Sequence, residues 1–392
     1  MGRFVPFAYG FRPFFLMAGI DAVFNMCLWL VAYFHPELWP EGTIPAMYWH
    51  GHEMLFGFAA AAIGGFLLTT VPAWTGRPPF AGMPLAILAA IWLAGRIAML
   101  PFAAAPPIIA AFLDLVFFPA LVVTLAPPLV RAGKIHNLPF VLLLSVLFLT
   151  NLLFHLGRLG LFNGGELTGL GFAADIVMIL IVVIGGRIIP GFTHNGLVRH
   201  GVTIAITPRA WLDIAAIASI VAVLVGDLTL QQSEVNGAVA LLAAVVQGAR
   251  LAQWHGHRSW RDPLIWILHV GYGWLIVGLG LKGIWLTIGA AFAAKWLHAI
   301  TVGAFATMIL AVMTRAALGH TGRPLIAPKP ITLAYFLVTT AAAIRVFGGA
   351  VFADEYNMVV ALSGACWIAA FGLFVWIYAP ILTRPRADGR PG

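Results

Sequence analysis

Trp49-His50-Gly51-His52-Glu53-Met54 runs straight into Leu55–Val71, seventeen residues without a single charge. Together they make a segment long enough to cross the hydrocarbon core of a bilayer, which needs about 20 apolar residues in a helix. Two imidazoles and a carboxylate at the mouth of such a helix are costly in lipid. Insertion does not require them, and ionisable side chains within a membrane are usually there for function. The rest of the chain has the same character: 392 residues, 61% hydrophobic and 9% charged, with a mean hydropathy of +0.97. A soluble domain averages about 25% charged residues, so the sequence reads as an all-α, polytopic membrane protein.

Apolar runs of spanning length recur twelve times, near 12–34, 48–71, 83–103, 107–130, 138–160, 166–190, 209–228, 233–253, 263–282, 288–316, 331–352 and 357–382. Proline or glycine marks most junctions, as at Pro106-Pro107 and Pro127-Pro128. No linker is long and polar enough for a separate soluble domain, so residues 1–392 read as one integral membrane domain. The first run lacks a small-residue cleavage site and reads as a retained helix. Cys27 and Cys366 fall inside the first and last spans, which argues against a disulfide framework. Of the 22 lysines and arginines, all but Arg96, Arg158, Lys282, Lys295 and Arg345 fall on the side shared by both termini, Arg3 among them. By the positive-inside rule both termini are expected on the cytoplasmic side of the membrane. The net charge of +8 then reflects topology and gives no reason to invoke nucleic acid.

Arg96, Arg158 and Arg345 sit on the disfavoured side. They either snorkel or pair with nearby acids, or they neutralise an anionic group on a cofactor.

The sequence also echoes itself. His52, Gly57 and Thr75-Gly76-Arg77-Pro78 match His298, Gly303 and Thr321-Gly322-Arg323-Pro324 in the pattern H-x4-G-x17-T-G-R-P. The 23 steps from histidine to threonine rise about 35 Å as helix, roughly one membrane thickness, which puts both imidazoles towards the outer leaflet. The sixth span has a similar exit, Gly185–Asn195, but Leu170 where the histidine would be. Three groups of four helices, a pseudo-threefold bundle, would account for this.

Five of the twelve histidines are expected within spans: His50, His52, His155, His269 and His298. A buried histidine is either a hydrogen-bonded core residue or a metal ligand, and five in one bundle favour metal. His50 and His52 point about 200° apart on a helix, so they serve different sites, or one orients the other. His52 with His298 is the expected heme pair. His50, His155 and His269 are left for copper, which imidazole suits, or for a second heme. Glu53 either donates protons to chemistry near His50 or pairs with Arg96 or Arg158. At the opposite face His194 and His320 occupy similar exits beside Arg187 and Arg315, where they either bind something or cap helix carbonyls.

W-H-x-H-E-M-L-F-G-F from Trp49, G-G-R-I-I-P-x-F-T-x-N from Gly185, H-A-I-T-V-G from His298 and M-T-R-A-A-L-G-H-T-G-R-P-L from Met313 together resemble the NnrS family. That resemblance covers nearly the whole chain. It implies a twelve-helix inner-membrane protein carrying heme b and copper, concerned with nitric oxide and nitrosative stress. The arrangement is also similar to the catalytic subunit of heme-copper oxidases and nitric oxide reductases, where spans two and ten carry heme ligands. Here the sixth span lacks a copper histidine, the seventh lacks a histidine pair, and the tenth has one histidine, so that binuclear centre does not transfer.

Three functions emerge as expectations. The first is reduction of nitric oxide to nitrous oxide, with quinol or a periplasmic carrier as donor. No C-x-x-C-H, flavin or nicotinamide motif is present. The second is a non-catalytic protein that binds or senses nitric oxide. The third is a transporter, which would lack a heme spectrum.

Overall fold

The structure is a computed structural model and describes residues 5–390 apart from 104 and 203; Arg3 lies outside them. It is an all-α polytopic bundle. Among the described residues eleven helices are long and apolar enough to cross a membrane, and one shorter apolar helix completes the series. In chain order they are α1 (Phe11–Phe34), α2 (Ala46–Thr75), α3 (Met83–Ala98), α4 (Pro107–Arg131), α5 (Ile135–Arg158), α6 (Gly165–Arg199), α7 (Ala210–Thr229), α8 (Glu234–Ala252), α9 (Pro263–Ile288), α10 (Ala291–His320), α11 (Lys329–Val351) and α12 (Tyr356–Thr383). Eleven of the twelve expected spans are present in order, and the third is the shorter helix α3. Cys27 and Cys366 are both free thiols.

The chain forms two compact units, one of Met1–Ala174, Ala316–Pro324 and Phe374–Gly392, the other of Asp175–Arg315 and Leu325–Leu373. In the first unit α2 is the central helix, with 83% of its most apolar window buried. α1 packs on it closely because glycine permits contact: a Cβ on Gly65 would lie 2.9 Å from Phe14 and Phe15. Outward positions such as Val123 and Leu142 are apolar and exposed, as lipid contact requires. In the second unit the buried Arg250 of α8 donates to the Val182 carbonyl (2.8 Å) and to the Tyr272 hydroxyl (3.1 Å), and pairs with Asp213. Gly186 makes room for it, since a Cβ there would collide with the guanidinium.

The sequence echo has a structural counterpart. His52 and His298 each immediately precede a π-helical stretch, Glu53–Ala59 in α2 and Ala299–Ala306 in α10. Such wide turns are rare and cluster at functional sites. The shared glycine of each copy lies inside that stretch and admits a neighbouring side chain. A Cβ on Gly57 would lie 2.8 Å from Asp21 Oδ2 and 3.2 Å from Arg96 Nη1, and one on Gly303 would lie 2.7 Å from the Trp274 ring. Both copies then stop their helix alike. Thr75 and Thr321 donate to the carbonyls of Val71 (2.8 Å) and Ala317 (2.7 Å), and Gly76 and Gly322 come next with φ of 64° and 68°, the left-handed geometry that favours glycine.

Candidate metal centre

Four helices of the first unit bring one polar cluster into its interior. α2 supplies His52 and Glu53, α3 supplies Arg96, α4 supplies Asp114, and α5 supplies Asn151 and His155, one turn apart and so on one face. Local features of the sequence set these positions. Pro119 has no amide hydrogen to offer the Leu115 carbonyl, and the helical hydrogen-bond ladder breaks at Val116, two residues after Asp114, although its dihedrals stay helical. Gly95 lets α3 approach, since a Cβ there would lie 3.0 Å from the Asp114 Cα. Arg96, next in sequence, thereby reaches the Asp114 carboxylate.

Asp114 Oδ2 is the focus. Asn151 donates its amide to it at 2.7 Å, His155 Nε2 lies 2.9 Å away and His52 Nε2 3.1 Å away. The other oxygen, Oδ1, accepts from Arg96 Nη2. Arg96 also grips both oxygens of Glu53, at 2.8 and 2.7 Å, and Glu53 Oε1 lies 2.9 Å from His52 Nδ1. His52 is fully buried and His155 nearly so, and their rings meet edge-on at 5.6 Å. Buried charges need partners, and here two carboxylates share one guanidinium.

The arrangement has one open requirement. If His52 Nδ1 carries the hydrogen to Glu53, its Nε2 lone pair faces Asp114 Oδ2 and the Asn151 carbonyl oxygen, 3.1 Å distant. Three acceptors around one point repel unless a proton or a metal ion lies among them. One ligand atom each from His52, Asp114 and His155 falls within 4.8 Å of the others. Two imidazoles and a carboxylate suit copper or another first-row metal, and a carboxylate on the far nitrogen of a ligating histidine is the usual support for one. His155 Nδ1 has no such partner among the described residues; its ring is held by packing, with Phe154 edge-on at 5.5 Å.

For His52 the heme-ligand role expected from the sequence does not fit this arrangement. Its Nε2 faces two polar groups at 3.1 Å, and its ring packs on Phe154 at 4.5 Å and Phe56 at 5.0 Å. Those neighbours leave no room for a porphyrin plane against that nitrogen.

The family description NnrS protein matches residues 5–386. The chain belongs to the NnrS family. A search of curated proteins finds no match. The cluster thus lies within the matched region of a multi-pass NnrS membrane protein.

The other expected site residues of this NnrS chain fall elsewhere. His50 turns to the opposite side of α2 and stacks on Trp29 of α1, with ring centroids at 4.6 Å, as the 200° offset requires. Arg158 donates to the Met99 sulfur at 3.2 Å. In the second unit, His269 meets the Thr193 hydroxyl at 2.9 Å and Arg345 donates to the Tyr356 hydroxyl at 2.5 Å. His298, also in that unit, is half-buried. Of the opposite-face set, His194 is exposed beside the Ile204 carbonyl at 3.1 Å and Arg187 is exposed. His320 packs on Phe11 in the first unit, while Arg315 is buried in the second.

Asp114, Asn151 and Asp21 did not stand out in the sequence. Asp114 carried a signal all the same. It is the one acidic residue in the apolar span 107–130, and the cost of burying charge in lipid applies to carboxylates as much as to imidazoles.

Proposed function

We propose that this chain holds a copper ion, or a related first-row metal, at His52, Asp114 and His155 and acts there on nitric oxide, reducing it to nitrous oxide. The observation that carries this reading is the convergence of two imidazoles and a carboxylate in a dry interior, in a protein of a family tied to nitric oxide. In the net reaction two nitric oxide molecules take two electrons and two protons. One N–N bond forms, one N–O bond breaks, and nitrous oxide and water leave. Quinol or a periplasmic carrier supplies the electrons, and the bound metal would supply redox chemistry and a binding position for the diatomic. Glu53 fixes the tautomer and orientation of His52, Arg96 balances the two carboxylates, and the buried setting excludes water. Both termini would lie in the cytoplasm of the bacterial inner membrane.

The close enclosure of His52, Asp114 and His155, all buried, favours a second reading, stoichiometric binding or sensing of nitric oxide without turnover. One set of measurements separates them: metal content, an absorption spectrum before and after adding nitric oxide, and its consumption with a donor present. Turnover that His155→Ala abolishes supports the first reading. A spectral change without consumption supports the second. Full metal loading in His52→Ala and His155→Ala alike defeats both.

A further inference from the structure

We propose that Arg315 anchors a phosphate oxyanion in the second unit, at the end of the helices where the arginines gather. This inference is independent of the metal reading.

Arg315 lies five residues before the end of α10 and is only 5% exposed. Its Nη1 is buried and meets no hydrogen-bond acceptor among the described residues. The guanidinium stacks 4.0 Å over the Phe192 ring of α6. That contact acts on the face of the group, whereas Nη1 donates in its plane and still calls for an acceptor. A buried donor left unmade is costly, more so when it is charged.

No carboxylate among the described residues fills the gap. Asp262 is the acid that acts on Arg315 electrostatically, beside Arg199 and Tyr335, but both of its oxygens are committed. Oδ2 takes Arg199 at 2.7 Å and faces His200 at 3.7 Å, while Oδ1 accepts the Leu264 amide at 3.1 Å, capping α9. Tyr335 is held by Thr314 at 2.5 Å. Two guanidiniums against one engaged carboxylate leave a net positive charge. A buried guanidinium nitrogen left open in the plane of the group matches a phosphate oxygen. The source is either an anionic lipid headgroup or free phosphate.

The test uses the full chain in a phosphate-free maltoside detergent. One arm measures binding of radiolabelled inorganic phosphate by equilibrium dialysis. The other measures retained phosphatidylglycerol by native mass spectrometry after reconstitution with that lipid. One equivalent per chain is expected in at least one arm, and the arm that responds names the source. Arg315→Gln should weaken it about tenfold or more, as loss of a charge-assisted hydrogen bond does. Arg315→Lys, which keeps the charge and loses the planar guanidinium, should weaken it several-fold. Arg261→Gln, at an exposed arginine stacked on Trp260, should bind as the parent does. Binding in neither arm overturns the assignment. So does undiminished binding in whichever Arg315 variant folds, or an equal loss in Arg261→Gln.

Discussion

Replacing Asp114 by asparagine separates the chemistry of the cluster from its architecture. The new side chain has the same shape, and the Asn151 amide can rotate to offer its oxygen in place of its nitrogen. Arg96 keeps both bonds to Glu53, at 2.8 and 2.7 Å, so the loss is one charge-assisted hydrogen bond, worth about 1.5–3 kcal/mol. Arg96→Gln is a different perturbation. It leaves Glu53 and Asp114 buried at 2% and 3% exposure without a cation, a situation that costs about 3–5 kcal/mol. Unfolding of the purified protein in detergent, monitored by tryptophan fluorescence, should therefore rank Arg96→Gln as the more damaging by about 2 kcal/mol. Metal content should rank the other way. Asp114→Asn loses a ligand and should bind copper at least about a hundredfold more weakly, beyond what loss of a supporting group costs. A reversed stability order would refute the charge accounting, and parental copper affinity in Asp114→Asn would refute the metal centre.

His52→Ala and His155→Ala should empty the site, whereas His50→Ala should keep its metal because that ring stacks on Trp29; elemental analysis of the three proteins decides. Gly57→Ala should cost about 1–3 kcal/mol through overpacking, because its Cβ would press on Asp21 and Arg96, and a thermal melt without metal reads this directly. At the chain end, the hydrogen bond from Arg386 holds the Asp388 carboxyl down at about 2, below its ordinary value near 3.9. Arg386 also donates to the His320 carbonyl at 2.8 Å. The pair's contribution is fully present above the ordinary value and is lost progressively as pH falls from there through about 2, so protease cleavage after Thr383 should be slow near neutral pH and rise steadily as the pH falls below the ordinary carboxylate value.

The helices were legible because spanning length and hydropathy are local properties, and the proline and glycine junctions are local too. The opposite headings of His50 and His52 came from helical periodicity alone. The echo around His52 and His298 was legible as letters, but its meaning was not. Nothing in H-x4-G announces a π-helical stretch, which depends on Asp21, Arg96 and Trp274 arriving from other helices. The partner of Glu53 was narrowed to two arginines, and packing chose Arg96 because Gly95 lets α3 close on α4. Asp114 escaped notice because its importance is a matter of convergence: four helices far apart in sequence meet at one of its oxygens.

A π-helical stretch holds one residue more than the α-helix it interrupts. Deleting a single residue between Glu53 and Ala59 would let α2 close into regular winding while the segments on either side keep their headings, because the wide turn already absorbs the extra residue. His52 would still face Asp114, and His50 would still face Trp29. The surplus residue thus works as slack in the winding, spent where Gly57 meets Asp21 and Arg96. A chain of this kind can shed one residue there without re-aiming either imidazole.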